Sequence, residues 1–372
     1  MRPPTADRHR VKILHIAQIV KGGTAAHLCE VIPWQIQRWG ADNVTLLAAA
    51  DQLDHLRALP GDRIETFPSA RRSAGQLIAM TRVARRLIRE QRPDIVHLHG
   101  TFAGAMIRLS YLFRRRGRPI IVYCSHGWSF NMQVRPVARL AYTMIERLLA
   151  PVAASIPCIS RYEVDTAIER GLPPDKLPLI YNGVADVAAG RKDAPARPGE
   201  GVNLLFMGRP GPQKGFDTLV EAMRLVEDRP VMLHAVGPDV DPATLGPNIV
   251  QHGWQPRSRI PDFIAACDAV VVPSRWEGFG LVVIEAMRQS RAVLASTADA
   301  LPELVDEGVT GHLFPPDDAQ ALARLLSGLD PIALAEFGRA GRRKFLDRFT
   351  SDQMNLALAA LYASLVASSD RS

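Results

Sequence analysis

Short apolar runs and amphipathic segments alternate along the whole chain. Continuous apolar runs rich in β-branched residues are typical of strands buried on both faces of a sheet, and a period near 3.6 residues is typical of helices packed against them. In the first half of the chain this pattern predicts six strands, at Lys12–Ile19, Asn43–Ala48, Ile64–Phe67, Ile95–Leu98, Ile120–Cys124 and Ile156–Ile159. The helices predicted between them include Ala25–Trp39, Gly75–Gln91 and Val137–Leu149.

The alternation is interrupted over residues 181–201. This stretch, YNGVADVAAGRKDAPARPGEG, has few large apolar side chains and is rich in Ala, Gly, Pro and charge, which is typical of an interdomain linker. Six strands are predicted after it, at Asn203–Met207, Val231–Val236, Ile249–Gln251, Ala269–Val272, Ala292–Ala295 and Gly311–Phe314. The helices predicted in this half are Asp217–Val226, Ile260–Ala265, Leu281–Gln289, Ala319–Leu326, Ala333–Phe349 and Ser351–Ala367.

The pattern therefore predicts two open parallel sheets in tandem. A chain of 372 residues is long enough to fill two hydrophobic cores. We predict an N-terminal domain over residues 1–182, a linker over 183–201, a C-terminal domain over 202–350 and a last helical segment over 351–372. The fold class is α/β, with two Rossmann-like domains facing across a cleft. Because ligands of open α/β sheets bind beyond the carboxyl ends of the strands, the loops after the strands are the expected sites.

Composition argues against several classes of protein. No stretch of about 18 apolar residues is free of charge, so no membrane-spanning helix is expected. The first apolar run, VKILHIAQIV, ends in Lys-Gly-Gly and not in a small-residue cleavage site, which predicts a strand and not a signal peptide. The four cysteines, at 29, 124, 158 and 267, lack the spacing of a zinc site or a disulfide framework. We therefore expect a reducing compartment, the cytoplasm.

The charge is unevenly distributed. Residues 1–190 carry 26 Lys+Arg against 15 Asp+Glu, whereas the remainder carries 19 against 23, within a total net charge of +7. The excess is concentrated in TRVARRLIREQR (81–92) and FRRRGR (113–118). This suits an anionic membrane surface or a lipid pyrophosphate, with a solvated arginine-rich face as the alternative. No nucleic acid partner is expected, because the basic runs lack interleaved aromatic residues.

The loop after the first strand contains Lys21-Gly22-Gly23-Thr24. Glycine allows the backbone to approach a ligand closely, and the N-terminus of the following helix offers free N–H groups to a phosphate. The alternative is a tight turn between strand and helix. The sequence is not GxGxxG, which disfavours a dinucleotide cofactor.

A second loop, GRPGPQKGFD (208–217), follows strand Asn203–Met207. Arg209 and Lys214 flank its glycines and prolines and are expected to converge on one point. Two cations and loop amides form a receptor for a diphosphate and can stabilise the charge on a departing nucleotide. Such a clamp replaces a metal ion, in keeping with a sequence that shows neither a convincing Asp-x-Asp loop nor a histidine cluster.

A third loop leads into a helix in RWEGFGLVVIEAM (275–287). Glu277 precedes the helix, and Glu285 lies about one turn inside it on an otherwise apolar segment. An unpaired carboxylate in such surroundings is costly, and a ribose diol would satisfy it. The alternative is a buried arginine partner. The N–H groups of Phe279, Gly280 and Leu281 are expected to face a diphosphate.

These loops resemble those of the retaining GT-B glycosyltransferases of family four, over nearly the whole chain. The resemblance implies that Gly208, Arg209 and Lys214 hold the donor diphosphate, as in the Gly-Arg…Lys-Gly loop of the family. Glu277 and Glu285 match its Glu-x7-Glu signature, in which the first glutamate binds the sugar and the second the ribose. Gly22 and Gly23 match the glycine-rich loop beneath the diphosphate.

The resemblance also extends to the acceptor side. His126 in CSHGW matches the family's loop histidine, which lies near the donor sugar and the incoming hydroxyl. HGWSF is similar to the version found in capsule and exopolysaccharide transferases. We expect acceptor contacts from Thr24, His99 and Trp128, and we predict that His97 is buried. The last helix resembles the one that crosses back onto the N-terminal domain.

The function implied is a metal-independent hexosyl transfer with retention. The donor is a UDP- or GDP-sugar, the acceptor is a glycan or a polyprenyl-diphosphate-linked sugar of bacterial surface polysaccharide, and no cofactor is expected. The enzyme would be cytoplasmic, with a peripheral contact to the inner face of the membrane through its N-terminal domain. Where the family often has Gly-Gly-x-Pro-Glu, this chain has Asp299-Ala300-Leu301-Pro302-Glu303, which leaves the identity of the sugar open.

Two other functions are compatible with the same motifs. A sugar-nucleotide epimerase of the same architecture would turn over its donor without an acceptor. A non-catalytic nucleotide-sugar-binding protein would tolerate the loss of Glu277 and His126. A dehydrogenase is disfavoured, because neither half contains GxGxxG followed by an acidic residue.

Overall fold

The computed structural model describes residues 10–56, 59–68, 73–114, 117–187, 201–209, 211–237 and 239–369. The chain divides into two compact units. The first comprises residues 1–182 and 351–372, and the second comprises residues 183–350. Most of the predicted linker, residues 188–200, lies outside the described residues.

The first unit is built on a five-stranded parallel sheet. Its strands are β1 (Ile13–Ala17), β2 (Val44–Ala49), β3 (Ile64–Phe67), β4 (Ile95–His99) and β5 (Ile120–Cys124). They lie in the order β3-β2-β1-β4-β5. β1 and β4 are buried at every position, as expected of central strands covered on both faces.

Helices cover both faces of this sheet. They are α1 (Gly23–Trp39), α2 (Ala74–Gln91), α3 (Thr101–Ser110), α4 (Pro136–Leu149), α5 (Arg161–Glu169) and α12 (Ser351–Ser369). Ser73 and Ser160 cap α2 and α5 by accepting backbone N–H groups. The last helix, α12, belongs to this unit and packs on α1, where Met354 and Leu358 meet Val31.

The strand predicted at Ile156–Ile159 does not form a ladder. The segment makes only isolated bridges, from Ser155 to Val122 and from Cys158 to Leu179. Pro157 lacks a backbone N–H and interrupts the pairing, which explains why this apolar run misled the prediction.

The second unit has a six-stranded parallel sheet. Its strands are β6 (Val202–Met207), β7 (Val231–Val236), β8 (Ile249–Gly253), β9 (Ala269–Val272), β10 (Ala292–Ser296) and β11 (Gly311–Phe314), in the order β11-β10-β9-β6-β7-β8. Its helices are α6 (Phe216–Arg224), α7 (Ile260–Ala266), α8 (Leu281–Arg288), α9 (Leu301–Leu304), α10 (Ala319–Ser327) and α11 (Pro331–Arg348). The predicted α/β class with two parallel-sheet units is confirmed.

The strand orders locate the ligand-binding edges. In the first unit the order reverses between β1 and β4, and in the second it reverses between β6 and β9. Ligands of open α/β sheets bind at such switch points, beyond the carboxyl ends of the strands. Among the described residues, no helix has both the length and the apolarity needed to cross a membrane.

Candidate functional site

The loops that follow β6 and β9 pack against each other in the second unit. The backbone N–H of Arg275 donates to the carbonyl of Gln213 at 2.8 Å. Gly215 has a left-handed φ of 61°, and a Cβ there would lie 2.0 Å from the carbonyl oxygen of Pro273. Glycine is therefore required at position 215 for the two loops to meet.

Lys214 and Glu277 form an ion pair between these loops. Nζ of Lys214 donates to Oε2 of Glu277 at 2.5 Å, and the Ser274 hydroxyl donates to the same oxygen at 3.3 Å. The backbone N–H of Glu277 donates to the Asp299 carboxylate at 2.9 Å. Both charged side chains are only half-buried, so a ligand can reach them. The ammonium suits phosphate oxygens, and the carboxylate suits sugar hydroxyls.

Arg209 stands apart from this ion pair. Its side chain is exposed and makes no hydrogen bond or ion pair with any residue in the described part of the chain. Lys214 pairs with Glu277, and the convergence of the two cations on one ligand stays a prediction.

Helix α8 begins beside this loop. Gly280 caps it in the left-handed region, with φ of 96°, and a Cβ there would lie 2.9 Å from Cδ2 of Leu301. The Phe279 ring is buried against Phe349, so only its backbone can face a ligand. The first turn of α8, starting at Leu281, contains no acidic side chain and leaves a positive helix terminus at the edge of the sheet.

Glu285 lies one turn inside α8 and is half-buried. Burial raises the pKa of its carboxyl group. Its nearest cation is Arg257, whose Nη2 lies 4.0 Å away on a side chain that is 55% exposed. The charge of the half-buried Arg288 on the same helix also acts on this carboxylate, but among the described residues no arginine forms a hydrogen bond with Glu285. A carboxylate with so weak a partner is suited to accept hydrogen bonds from a ligand diol.

Arg275 was not predicted as a functional residue, yet it organises the loops. Its guanidinium donates to both carboxylate oxygens of Asp217, at 2.9 and 2.7 Å, and to the carbonyl of Pro212 at 2.7 Å. It also bonds to Asp317. The hydrogen bonds with Asp217 raise the pKa of Arg275, and in turn they lower the pKa of Asp217. Arg275 thereby fixes the backbone of Pro212 and Gln213, which directly precede Lys214.

The glycine-rich loop of the first unit begins α1. Gly22 caps the helix at φ of 57°, and no atom lies within 4 Å of the position its Cβ would take. Gly23 and Lys21 are exposed, and Thr24 is half-buried. The open space above Gly22 is consistent with a ligand approaching the backbone at this point.

His126 lies in the loop after β5 and has a strained backbone. Its φ is 54°, which is uncommon for a residue other than glycine. The buried carboxylate of Glu163 holds this loop, because Oε1 accepts from the Gly127 N–H at 2.6 Å and from the Ser125 hydroxyl at 3.1 Å. Its other oxygen accepts from the Ile159 N–H at 2.9 Å. Glu163 was not predicted from the sequence.

The first unit also contains a cluster of five histidines, contrary to the expectation of none. Its members are His15, His27, His97, His99 and His126. Burial lowers the pKa of every member, to about 4 for His15 and for His27. The cluster is therefore neutral at pH 7. Possible metal-ligating atoms of three members lie within 4.8 Å of one another in two overlapping sets.

Trp128 does not line a binding surface. The indole is only 2% exposed, its ring stacks on Phe130, and its Nε1 donates to the carbonyl of Glu163 at 3.0 Å. The predicted acceptor contact of Trp128 is corrected to a role in the core, where it supports the loop of His126. His99 is also buried, and its two ring nitrogens bond to His15 and, at 2.9 Å, to His126, so the predicted direct contact of His99 with the acceptor is corrected to a contact through His126.

Two family models match the chain. The model described as Glycosyl transferase 4-like domain matches residues 22–183, and the model described as Glycosyl transferases group 1 matches residues 201–329. Together they span most of the chain. The chain is a glycosyltransferase with a glycosyl transferase 4-like domain followed by a glycosyl transferases group 1 domain. In this glycosyltransferase, the C-terminal match contains Lys214, Glu277 and Glu285, and the N-terminal match contains Gly22 and His126.

Curated relatives of this glycosyltransferase include a protein from a cps region and a galactosyltransferase named for a diphosphoundecaprenol-linked sugar. It is 27% identical over 327 residues to an uncharacterised 41.2 kDa protein in the cps region of Klebsiella pneumoniae, with 85% of this chain and 89% of that protein covered. It is 26% identical over 268 residues to the UDP-Gal:alpha-D-GlcNAc-diphosphoundecaprenol alpha-1,3-galactosyltransferase of Escherichia coli, with 65% and 67% covered.

Solved structures similar to this glycosyltransferase share its fold. HepE of Anabaena in complex with UDP superimposes with a TM-score of 0.76 at 21% identity, covering 95% of this chain and 100% of that one. Sucrose-phosphate synthase from Thermosynechococcus elongatus superimposes with a TM-score of 0.77 at 20% identity, covering 96% and 100%. The predicted GT-B fold class is confirmed.

Proposed function

We propose that this glycosyltransferase moves a hexose from a UDP- or GDP-sugar to a glycan or polyprenyl-diphosphate-linked acceptor in bacterial surface polysaccharide synthesis. The observation that carries the donor half of this proposal is the Lys214–Glu277 ion pair beside the start of α8. The acceptor half is supported by the cps-region relative and by the diphosphoundecaprenol substrate of the Escherichia coli relative.

In the proposed reaction, the second unit binds the donor. Lys214, Arg209 and the N-terminus of α8 take up the diphosphate, and Glu277 accepts hydrogen bonds from sugar hydroxyls. Glu285 accepts hydrogen bonds from the ribose. The binding of the diphosphate draws Lys214 from its bond with Glu277, which then has an oxygen free for the sugar.

The bond between C1 of the sugar and the β-phosphate oxygen breaks, and its electron pair leaves with the diphosphate. The acceptor oxygen bonds to C1 on the same face, and its proton passes to the departing phosphate oxygen. Configuration is thus retained. The two cations stabilise the leaving charge, and no metal ion is required for that step.

In the first unit, His126 and the glycine-rich loop are proposed to contact the substrates. We assign to His126 a hydrogen bond with the reacting hydroxyl or the donor sugar, since its half-exposed ring follows the carboxyl end of β5. Thr24 is proposed as an acceptor-binding residue, whereas His99 is buried with both ring nitrogens bonded to other histidines and is proposed to act on the acceptor through His126. Gly22 and Gly23 are proposed to lie beneath the diphosphate.

The proposed contact with the membrane involves α4. This helix buries Glu146, which pairs with the buried Arg108 at 2.7 Å, and exposes apolar side chains on its other side. The exposed side chains are Val137, Leu140, Met144 and Leu148, with exposed fractions between 52% and 81%. Arg135 and Arg147 are exposed on the same helix. An exposed apolar stripe with flanking cations fits the interface of an anionic bilayer.

The basic clusters lie outside α4, and their contact with a membrane stays a prediction. Arg86, within residues 81–92, is exposed at 3.8 Å from both Glu65 and Glu90, as on a solvated face. Residues 115–116 of the second cluster lie outside the described residues.

Binding to vesicles of phosphatidylcholine with and without phosphatidylglycerol tests the proposed contact between α4 and an anionic membrane. Replacing Leu140 and Leu148 by Ser should abolish binding to the anionic vesicles, whereas Leu356→Ser, at an exposed leucine of α12, should not.

Release of nucleoside diphosphate tests the transferase proposal. Purified protein is incubated with a panel of UDP- and GDP-sugars in the presence of EDTA, with and without membrane lipid extract as acceptor. We expect one donor to be consumed, and Lys214→Ala and Glu277→Ala to lower the rate by about 100- to 1,000-fold. Lys344→Ala is the matched control, because Lys344 pairs with Asp306 at 2.8 Å elsewhere in the same unit.

Each other outcome contradicts a stated part of the proposal. Turnover only after a divalent metal is restored would contradict metal independence. Interconversion of the sugar nucleotide without transfer would indicate an epimerase. Nucleotide binding with no turnover of any donor would indicate a binding protein. The anomeric configuration of the product, measured by NMR, decides between retention and inversion.

A further inference from the structure

Three of the clustered histidines, His15, His99 and His126, are connected by hydrogen bonds in a row through the core of the first unit. His15 on β1 pairs in register with His97 on β4, and Ala17 pairs with His99. Because side chains two positions apart share a face, His15, His97 and His99 all face the same side of the sheet. Gln35 of α1 reaches that side and bonds to His15.

The row has three hydrogen bonds. Oε1 of Gln35 lies 2.7 Å from Nε2 of His15. Nδ1 of His15 lies 2.9 Å from Nε2 of His99, and Nδ1 of His99 lies 2.9 Å from Nε2 of His126. Each inner histidine thus uses both of its ring nitrogens, and the row ends at the half-exposed His126.

The positions of the protons follow from the first bond. An amide oxygen only accepts, so Nε2 of His15 carries the proton and Nδ1 of His15 is a lone pair. That lone pair accepts from Nε2–H of His99, whose Nδ1 in turn accepts from Nε2–H of His126. A neutral imidazole has a single N–H, so Nδ1 of His126 is left as an acceptor. It has no hydrogen bond with the described residues.

Charge would break this order. A protonated imidazole carries two N–H groups and cannot accept, so protonating His15 or His99 would place two hydrogens between a pair of nitrogens. Burial disfavours the charged form of every member, and the other titratable groups that face the cluster are the histidines themselves and Tyr362, whose pKa burial raises, so that it stays neutral. The row is therefore kept neutral and directional.

We propose that Gln35, His15 and His99 are positioning residues that fix the tautomer of His126, so that its Nδ1 accepts a hydrogen bond from a hydroxyl of the sugar or acceptor. The tautomer is a property of the protein alone. Only the use of Nδ1 by a hydroxyl rests on the proposed transferase function. A turned Gln35 amide would reverse every donor and would make His126 a donor at Nδ1.

Nitrogen-15 NMR of histidine-labelled protein at pH 7.5 tests the tautomer without donor or acceptor. The His126 signals are identified by their loss in His126→Gln. We expect a protonated Nε2 and an unprotonated Nδ1 in the wild type. In Gln35→Leu and His15→Phe, we expect the two His126 nitrogen shifts to move toward each other as the tautomers mix.

Asn355→Leu is the matched control, since it removes another buried amide, which donates from α12 to the carbonyl of Glu30 on α1. It should leave the His126 shifts unchanged. Protonated Nδ1 in the wild type would overturn the proposal even if neither variant folds. Unchanged shifts in folded Gln35→Leu would overturn it as well.

The rate of the transferase tests the use of this tautomer. We expect Gln35→Leu to lower kcat by about tenfold with little change in the KM of the donor, because binding of the nucleotide does not involve this row. An altered tautomer with an unaltered kcat would overturn the positioning role. If the wild type consumes no donor at all, the proposed function fails, and the NMR result still decides the tautomer.

Discussion

The two units have the same parallel architecture and opposite electrostatics at their ligand-binding edges. In the first unit the polar groups at the switch point are buried imidazoles with lowered pKa values. In the second unit they are ions held on loops, such as Lys214 with Glu277 and Arg275 with Asp217. One sheet edge is thus kept neutral, and the other is kept charged.

This difference reflects what each edge has to bind. A diphosphate is recognised by cations and helix N-termini, which remain charged only where water or counterions reach them. A reacting hydroxyl needs a hydrogen-bond partner of defined direction, and a neutral ring in a dry environment provides it. The comparison predicts that the units respond differently to pH and to the loss of single groups.

The largest expected effect is a selective loss of stability of the first unit in mild acid. His15 and His27 have pKa values near 4 when folded and near 6.5 when unfolded, so the unfolded chain binds more protons between these values. Stability present above pH 6.5 is therefore lost as the pH falls toward 4, by about 3 kcal/mol for each histidine. Hydrogen exchange of the backbone amides, followed at a series of pH values, would measure this loss of stability in the first unit.

The second unit should lose less stability over this range, because among its described residues burial lowers the pKa values of two histidines, His234 and His252, against five in the first unit. Its paired Asp217 has a pKa lowered by Arg275, so its contribution is present above the unfolded value of 3.8 and is lost only below it. Equal loss of protection in both units between pH 6.5 and 4 would contradict the comparison.

The next largest effect is expected at Glu163. Replacing it by Ala leaves two backbone N–H groups and the Ser125 hydroxyl without their acceptor in a buried site, and should lower the free energy of unfolding of the first unit by about 3 kcal/mol or more. Denaturant unfolding measures the loss. Glu169→Ala, an exposed glutamate at the end of the same helix, is the control and should change stability by less than about 0.5 kcal/mol.

Arg275→Ala should have a smaller effect, although the residue makes more bonds. Its carboxylate partners Asp217 and Asp317 are largely exposed and regain water when it is removed, so we expect a loss of about 1–2 kcal/mol in the second unit. Arg339→Ala, which removes a fully surface pair with Glu336, is the comparison. A loss equal to that of Glu163→Ala would show that this loop is as rigid as the core.

The smallest effect on stability is expected for Glu285→Gln. Because burial raises its folded pKa, the ionised carboxylate opposes folding above the unfolded pKa of 4.5, and removing its charge should leave stability at pH 7 unchanged or slightly higher. Binding of UDP or GDP, measured by calorimetry, should nevertheless weaken by about tenfold. Unchanged nucleotide affinity would remove Glu285 from the donor site.

The sequence allowed the sheet and the donor loops to be predicted for the same reason. Strands such as β6 and β9 are continuous apolar runs, and the loops after them are fixed by topology, so Lys214 and Glu277 could be placed near each other. The exception was Ile156–Ile159, where Pro157 prevents a ladder. The apolar residues of this segment suggested a strand, but the segment does not pair with a neighbouring strand in a continuous ladder.

The groups that were missed act through distant partners. Nothing local in the sequence connects Glu163 with Gly127, or His15 with His126. The only local hint was the His-x-His spacing of His97 and His99 at the end of one predicted strand, which puts two imidazoles on one face if the strand extends to His99. Trp128 was misassigned because a motif identifies a loop without saying which of its side chains turn inward.

Because α12 belongs to the first unit, the second unit is an insertion in the order of the chain. During synthesis the first unit lacks Tyr362, whose hydroxyl meets Nδ1 of His97 at 2.6 Å, until the whole second unit has been made. The unit made later can therefore complete its core earlier. A fragment ended at Asn182 would leave Val31 and Ile180 uncovered, and a newly made first half has the same exposure until α12 has been made.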